Sequence, residues 1–354
     1  MKKWKMGLVI YLVLTVMCIA MTGACAPAES VVKTTTSPPQ SVYVMRFSSH
    51  FPPLSPDNAI FAGLVEVIDK ETNGRVKFEF YPGAALYNLE DALAGVQTGA
   101  LEMTVGGLFA APISPEANAT QLPFLFEDAA HIIRFTESDA YQKYIIDSMQ
   151  TKGVHVLKCY FRQATDEMVA GDFYNKKKPI ATLEDFKGIK MRMPGLPMHM
   201  ILGQYLGFES VSLPPTELVT ALETGMVDGT IGTYAGIVAL KFAEVAPYRT
   251  KCFAMTGIQG NLLVSKKWWD NLPPDLQKII EQVFLDAGDE IDIVLAKAAA
   301  TAFDDFEATT GTVTTEVTGA ELERWKGAVQ PIWDQERAKS ASIRAMIEAI
   351  ENLR

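Results

Sequence analysis

The stretch Glu223–Thr233 reads ETGMVDGTIGT, and 126 residues earlier Gln97–Gly107 reads QTGALEMTVGG. At that constant offset Thr98, Gly99, Thr104 and Gly106 coincide with Thr224, Gly225, Thr230 and Gly232. Each stretch follows an apolar helical run that begins near an acid, Asp91 in one and Glu217 in the other. Each Thr-Gly suits a helix C-cap, because glycine enters the left-handed region without a steric penalty. An acid follows in both, Glu102 and Asp228, and then a short strand that ends at glycine. The repeat predicts two lobes of like topology. Their glycines would stand at carboxyl ends of strands, where α/β folds hold ligands.

Working outward, residues 43–48 (YVMRFS) read as a strand. Residues 57–72 carry Ile60, Phe61, Leu64, Val65 and Ile68 at helical spacing, and Asn73-Gly74 stops that helix. RVKFEFYP (75–82) alternates as a strand; 89–98 reads as a helix and 103–107 as a strand. The alternation gives an α/β fold with a largely parallel sheet. Two segments read as extended throughout, Val154–Val169 before the second repeat and Arg249–Val264 after it. They are expected to cross between the lobes and act as hinge strands. From Leu272 onward the chain is expected to be mostly helical, starting at Pro273-Pro274.

The 354 residues are 48% hydrophobic and 21% charged, a globular composition whose length suits about two domains. A net charge of −10 argues against nucleic-acid binding, because such a surface repels phosphates. The N-terminus has a different character. Lys2, Lys3 and Lys5 precede an apolar run, Gly7–Met21, and then small residues. That is the order of a secretory signal, and the run is short of the ~20 residues a spanning helix needs. Thr22-Gly23-Ala24-Cys25 resembles a bacterial lipobox, with Thr22 where an aliphatic residue is usual. Cys25 is therefore expected to be acylated; cleavage near Ala26 or Ala28 and an uncleaved membrane anchor are the alternatives. Residues 26–41, rich in Ser, Thr and Pro, read as a flexible tether. The folded body is expected to work outside the cytoplasm.

Catalytic patterns do not occur: there is no GxSxG, HExxH or phosphate-binding loop. His50, His131, His155 and His199 show no metal-ligand spacing. No catalytic residue, metal or cofactor is expected. Asp304-Asp305 reads as part of a solvated helix face. Cys159 and Cys252 each fall in one expected hinge segment, either as buried small hydrophobes or as a pair in an oxidising compartment. Two arginines stand out, Arg162 in KCYFRQA and Arg192 in IKMRMPG. A strand cation among Ile189, Met191 and Met193 needs an internal partner or a polar cleft. Guanidinium is the preferred bidentate partner of a carboxylate. From the residues alone, an internal salt bridge and a ligand site stay open for both.

DFKGIKMRMPG (Asp185–Gly195), followed by PTELVTALETGMVDG (Pro215–Gly229), resembles the signature of TRAP transporter substrate-binding proteins, the DctP family. ETNGRVKFEFYPGAAL (71–86), LPFLFED (122–128), KKPIATLEDFKG (177–188) and SKKWWDNLPPDLQ (265–277) agree in order, so the resemblance covers about 43–350. It implies a two-lobe α/β periplasmic-binding-protein (Venus-flytrap) fold with hinge strands and C-terminal helices. Residues 1–24 would be the signal, 25–41 the tether, 42–162 with 254–310 lobe I, 163–253 lobe II, and 311–354 helices packed on the lobes. It further implies a periplasmic protein that closes on a small organic acid and delivers it to a TRAP membrane permease driven by an ion gradient. The protein would not be an enzyme.

Lys190-Met191-Arg192-Met193-Pro194 matches the family's K-x-R-x-P, whose arginine holds the ligand carboxylate; Arg162 matches a second family arginine. The chain departs after Asp228-Gly229: where many members have glutamate and a ligand-contacting residue, it has Ile231 and Gly232. That leaves room for a bulkier or more apolar acid. His50, Phe109, Gly232, Thr233, Tyr234 and Thr256 are the expected cleft walls. The rivals are a sensor subunit that presents ligand to a signalling receptor, and an extracytoplasmic enzyme acting on organic acids. The latter needs a nucleophile or acid/base pair beside Arg192.

Overall fold

A computed structural model describes residues 41–51, 53–106, 113–158, 162–193, 195, 197–214, 217–233, 242–256 and 261–354. Cys25, Phe109, Cys159 and Tyr234 lie outside the described residues. The strands among them are β1 (Tyr43–Ser48), β2 (Val76–Tyr81), β3 (Met103–Gly106), β4 (Val154–Lys158), β5 (Ala170–Asn175), β6 (Lys190–Met193), β7 (Glu209–Ser212), β8 (Gly229–Thr233), β9 (Tyr248–Thr256), β10 (Asn261–Ser265) and β11 (Val313–Glu316). The main helices are α1 (Pro56–Glu71), α2 (Leu89–Thr98), α3 (Pro197–Leu206), α4 (Leu218–Thr224), α5 (Pro274–Ala308), α6 (Gly319–Lys339) and α7 (Ala341–Glu351). One sheet runs β2-β1-β3-β10-β4 and the other β11-β9-β5-β8-β6-β7.

The internal repeat is real at the level of hydrogen bonds. α2 leads to β3 and α4 leads to β8; their C-caps, Gly99 and Gly225, take φ of 83° and 78°. β3 pairs in parallel with β1, with Ser48 opposite Thr104, while β8 pairs in parallel with β6, with Arg192 opposite Thr230. Thr104 Oγ1 donates to the Ser48 carbonyl at 2.8 Å, and Thr230 Oγ1 donates to the Arg192 carbonyl at 3.2 Å. The preceding acids match as well. Glu102 accepts from the Arg46 backbone N–H, and Asp228 from the Lys190 backbone N–H. Both sheets therefore share one βαβ plan, and Ser48 is the counterpart of Arg192.

The sheets are mixed, which corrects the expectation of a largely parallel one. β1, β2 and β3 run parallel, as do β6, β7 and β8, but β10 is antiparallel to β3 and β5 is antiparallel to β8. The physical reason is the crossover. β5 and β10 each enter their sheet from the carboxyl edge, so they must run against the parallel core. Neither long segment is one strand. Among the described residues of the first, Val154–Lys158 is a strand and Asp166–Val169 is a short helix. Thr165-Asp166-Glu167 is a helix-start signature that an extended reading overlooks. The second divides between the sheets: β9 belongs to one and β10 to the other. The tail also holds a strand, β11, parallel to β9.

Apolar alternation and helical stripes build two centres. Around the first sheet Phe47, Phe61, Phe78 and Phe284 stack edge to face or tilted, with Phe47 and Phe61 4.9 Å apart. On the second, Phe173, Phe186, Phe208 and Trp325 do the same. α5 has 35 residues and so spans about 52 Å. Its Phe284 sits in the first core, while Ala302 and Phe306 join Tyr174, Leu218 and Leu222 beside the second sheet. α6 does likewise: Trp325 packs on Phe186, and Trp333 Nε1 donates to the Pro123 carbonyl at 2.9 Å. Helices as well as strands therefore join the two lobes.

Candidate functional site

The strand directions fix where a site can be. β4 is antiparallel to β10, and β10 to β3, so β4 runs with β1–β3. The chain leaves β4 and enters β10 at the carboxyl edge of the first sheet. By the same reasoning β5 starts, and β9 ends, at the carboxyl edge of the second. Four residues, 257–260, link β9 to β10, so the two edges lie within about 17 Å there. Carboxyl edges of parallel strands are also where α/β folds bind ligands.

Arg192 stands near the end of β6, on this edge. It is 8% exposed, between Met191 and Met193, both fully buried. Its Nε donates to the Leu213 carbonyl at 2.9 Å, and burial holds its pKa below the ordinary guanidinium value. Among the described residues no carboxylate pairs with it, and the undescribed stretches between 41 and 354 contain no acid. Arg249 differs. That arginine is 2% exposed on the same sheet, and it is paired: its Nη2 lies 2.7 Å from Asp172 Oδ2. Asp172 Oδ1 also accepts the backbone N–H groups of Cys252 and Phe253, at 3.0 and 3.2 Å. This carboxylate occupies the bulge in β5 and holds Phe253 at a φ of 49°. Arg249 is a structural cation of the hinge strand. Arg192 is a buried cation still lacking an anion.

The described wall candidates fall at the carboxyl edges of the two sheets. Thr233 pairs with Gly171, and Ala170 with Thr256, so Thr233 and Thr256 lie on either side of β5's first residues. Gly232 faces Asp172 in register and is half-buried. His50 follows β1 at the other sheet's carboxyl edge, its ring tilted against Phe51 with centroids 4.7 Å apart. Burial pushes its pKa down to about 4, so the ring is neutral. Arg162 follows β4 in the crossover. Its side chain is 45% exposed, and Nη1 lies 3.4 Å from Asp289 Oδ1 on α5. In this conformation Arg162 makes an internal ion pair. Cys252 is a free thiol, and burial raises its pKa well above the usual value.

Sequence reasoning missed two features. His199 on α3 is 2% exposed; burial and the nearby Arg192 charge hold its pKa down to about 3. A neutral imidazole there adds no competing charge. The second is the pair Asp289 and Asp292 on α5, which grips the crossover at Arg162 and Gln163. Met198-His199-Met200, close behind Pro194-Gly195, was a legible signal for the first; an i, i+3 pair of acids on a long helix carries none.

A family model described as bacterial extracellular solute-binding protein, family 7 (DctP), matches residues 47–340. The chain is 26% identical over 310 residues to the C4-dicarboxylate-binding periplasmic protein DctP of Rhodobacter capsulatus, covering 86% of this chain and 90% of that protein. A TRAP periplasmic solute binding protein from Ochrobactrum anthropi, with its C-terminus bound in the ligand-binding pocket, superposes with a TM-score of 0.76 at 28% identity. The match covers 88% of this chain and 95% of that one. A TRAP periplasmic solute binding protein from Chromohalobacter salexigens with bound d-glucuronate superposes with a TM-score of 0.78 at 22% identity, covering 88% and 100%. These folds are two-lobe flytraps, as the paired sheets and crossovers here require. With its fold, its repeat and its K-x-R-x-P strand accounted for together, the chain belongs to the family 7 bacterial extracellular solute-binding proteins, the binding and non-catalytic components of TRAP-type transport.

Proposed function

We propose that this chain captures a small organic carboxylate between the two carboxyl edges, with Arg192 as the clamp and Arg162 assisting, and hands it to a TRAP membrane permease. The observation that carries the reading is the buried Arg192 guanidinium without a carboxylate partner. An unpaired buried cation costs several kcal/mol, and a ligand anion supplies what the fold withholds. C4-dicarboxylates and d-glucuronate, the ligands of the relatives, belong to that class. His50, Phe109, Gly232, Thr233, Tyr234 and Thr256 would form the walls. Glycine at 232 in place of a contacting side chain favours a ligand bulkier or more apolar than a simple dicarboxylate. In this reading residues 42–162 with 254–310 make one lobe, 163–253 the other, and 311–354 pack across them.

The test is a thermal-shift screen against organic acids, sugar acids and sn-glycerol 3-phosphate. A ligand at ~100-fold its dissociation constant adds ~2.7 kcal/mol of stability. Stabilisation by carboxylates supports the reading; stabilisation by the phosphate ester alone overturns it. The same reading places the body outside the cytoplasm on a lipid anchor at Cys25. Intact-mass analysis of membrane-extracted protein should show an acylated chain starting at Cys25; an unacylated start at residue 27 or later refutes the anchor.

A further inference from the structure

Arg162 is held twice by one face of α5. Asp292 Oδ2 accepts the backbone N–H groups of Arg162 and Gln163 at 2.8 and 3.0 Å. One turn earlier Asp289 faces the side chain, with 3.4 Å between Oδ1 and Nη1. Positions three apart share a helix face, so the two acids act on the crossover together. Their contacts differ in kind. Asp292 is fully buried and makes two short, charge-assisted bonds to backbone. The Asp289 contact is long, and Oδ1 is buried yet has no hydrogen bond of good geometry. Both side chains of that pair are nearly half exposed, at 45% and 41%. Such a pair is weak and easily exchanged for a better anion. Asp292 thus fixes the backbone, and Asp289 holds only the guanidinium. The guanidinium sits in the crossover that runs from the carboxyl edge of one sheet to that of the other.

We infer that Asp289 is a positioning residue that parks the Arg162 guanidinium while the cleft is empty and yields it to the ligand carboxylate, so that it lowers the affinity of a site it does not enter. This rests on the reading of Arg162 as a ligand-assisting residue. Asp292 keeps the crossover in place during the exchange, so the side chain moves without the backbone. Ligand and Asp289 compete for one cation, and removing the internal competitor strengthens binding.

The experiment is NMR and calorimetric titration of the full chain with succinate and with d-glucuronate, in the wild type, Asp289→Asn, Arg162→Ala and the double variant. Asp289→Asn should bind about two- to fivefold more tightly, the range an exposed ion pair spans. The gain should vanish when Arg162→Ala is also present. Tighter binding separates the proposal from a merely structural role, because loss of a structural contact would weaken binding. Unchanged or weaker binding by Asp289→Asn, while Arg162→Ala still lowers affinity, overturns the inference and leaves the ligand reading standing. A gain that persists in the double variant also overturns it. If Arg162→Ala has no effect, the reading of Arg162 as a ligand-assisting residue fails and the inference with it; binding of neither probe by the wild type overturns the inference for these competing anions, while the Arg192 reading is judged by the wider screen.

Discussion

Replacing Arg192 by Met should separate binding from stability, and the two effects should have opposite signs. The ligand-bound state loses the clamp. A carboxylate held by two charge-assisted hydrogen bonds gains ~1.5–3 kcal/mol from each. At 1.4 kcal/mol per decade, the loss is on the order of 10²- to 10³-fold in dissociation constant. The ligand-free state tells the other half. There Arg192 is 8% exposed, and its described side-chain bond is the one from Nε to the Leu213 carbonyl. Losing that bond costs about 1.5–3 kcal/mol, whereas removing an unpaired buried cation returns several kcal/mol. Methionine nearly matches the apolar part of the side chain and sits naturally between Met191 and Met193. The unfolding free energy without ligand should therefore stay level or rise by about 1–3 kcal/mol. Urea unfolding without ligand and calorimetry with a carboxylate found in the screen read the two quantities. Arg192→Lys should bind poorly too, because an ammonium cannot match both carboxylate oxygens in one plane. A ligand-free loss above about 2 kcal/mol, with binding reduced less than about fivefold, would mean that Arg192 is a structural cation like Arg249. The clamp argument would then be wrong.

Stability should peak near neutral pH. Burial depresses all four histidine pKa values, His50 and His155 to about 4 and His199 to about 3, so the unfolded chain binds more protons and stability falls as pH drops from about 6.5 toward 4. Asp57 works the other way: burial and then Asp292 raise its pKa to about 7, so its contribution is full below about 4 and is lost as pH rises toward 7. Asp57→Asn should steepen the rise of urea midpoints between about pH 4 and 7 by removing this opposing contribution; an unchanged slope there would show that Asp57 does not titrate with a raised pKa. Gly229→Ala should destabilise by about 1–3 kcal/mol or more, since a Cβ there would lie 2.2 Å from the Tyr174 carbonyl oxygen and 2.7 Å from Met191 Sδ. A melting temperature equal to wild type would contradict that packing. Ligand should also draw the lobes together, seen as a smaller radius of gyration in scattering; identical curves, with inter-lobe label distances fixed in the open geometry, would contradict closure.

Much of this was legible because local chemistry and tertiary use coincide. Gly99 and Gly225 had to be left-handed, and they are. The helix over 89–98 and the strand at 43–48 carried their own boundaries: Asn88 caps the one by accepting from Asp91 N–H, and the alternation of Met45 and Phe47 fixes the buried face of the other. Failure came where tertiary pairing overrides local pattern. Val154–Val169 and Arg249–Val264 are both rich in β-formers, and nothing local says that a strand must stop and resume in another sheet. The bulge at Asp172 and the left-handed Phe253 depend on one carboxylate reaching across strands. Asp289 and Asp292 were illegible for the same reason. They are ordinary helix acids in sequence, and they gain meaning from a crossover about 130 residues away.

The repeat also explains why this site holds its cation on one side. β1 and β6 are equivalent strands, and Thr104 and Thr230 make the same bond to Ser48 and Arg192. At matching positions one lobe carries a small neutral hydroxyl and the other a long guanidinium. The first lobe then adds His50 two residues on, a ring kept neutral by burial. A site built symmetrically would put two cations at opposing edges, and their repulsion would oppose closure of the empty cleft. Of these two matched positions only Arg192 carries a charge, so the equivalent strand ends do not oppose two cations; on the proposed reading a ligand carboxylate would meet that buried cation. Arg162 is paired with Asp289 in this conformation, and on the proposed reading it would be released only to a ligand anion. On the proposed reading the fold thus duplicates the backbone frame and divides the chemistry, with the buried charge in one lobe, a neutral wall in the other, and a second charge, paired with Asp289, on the connection between them.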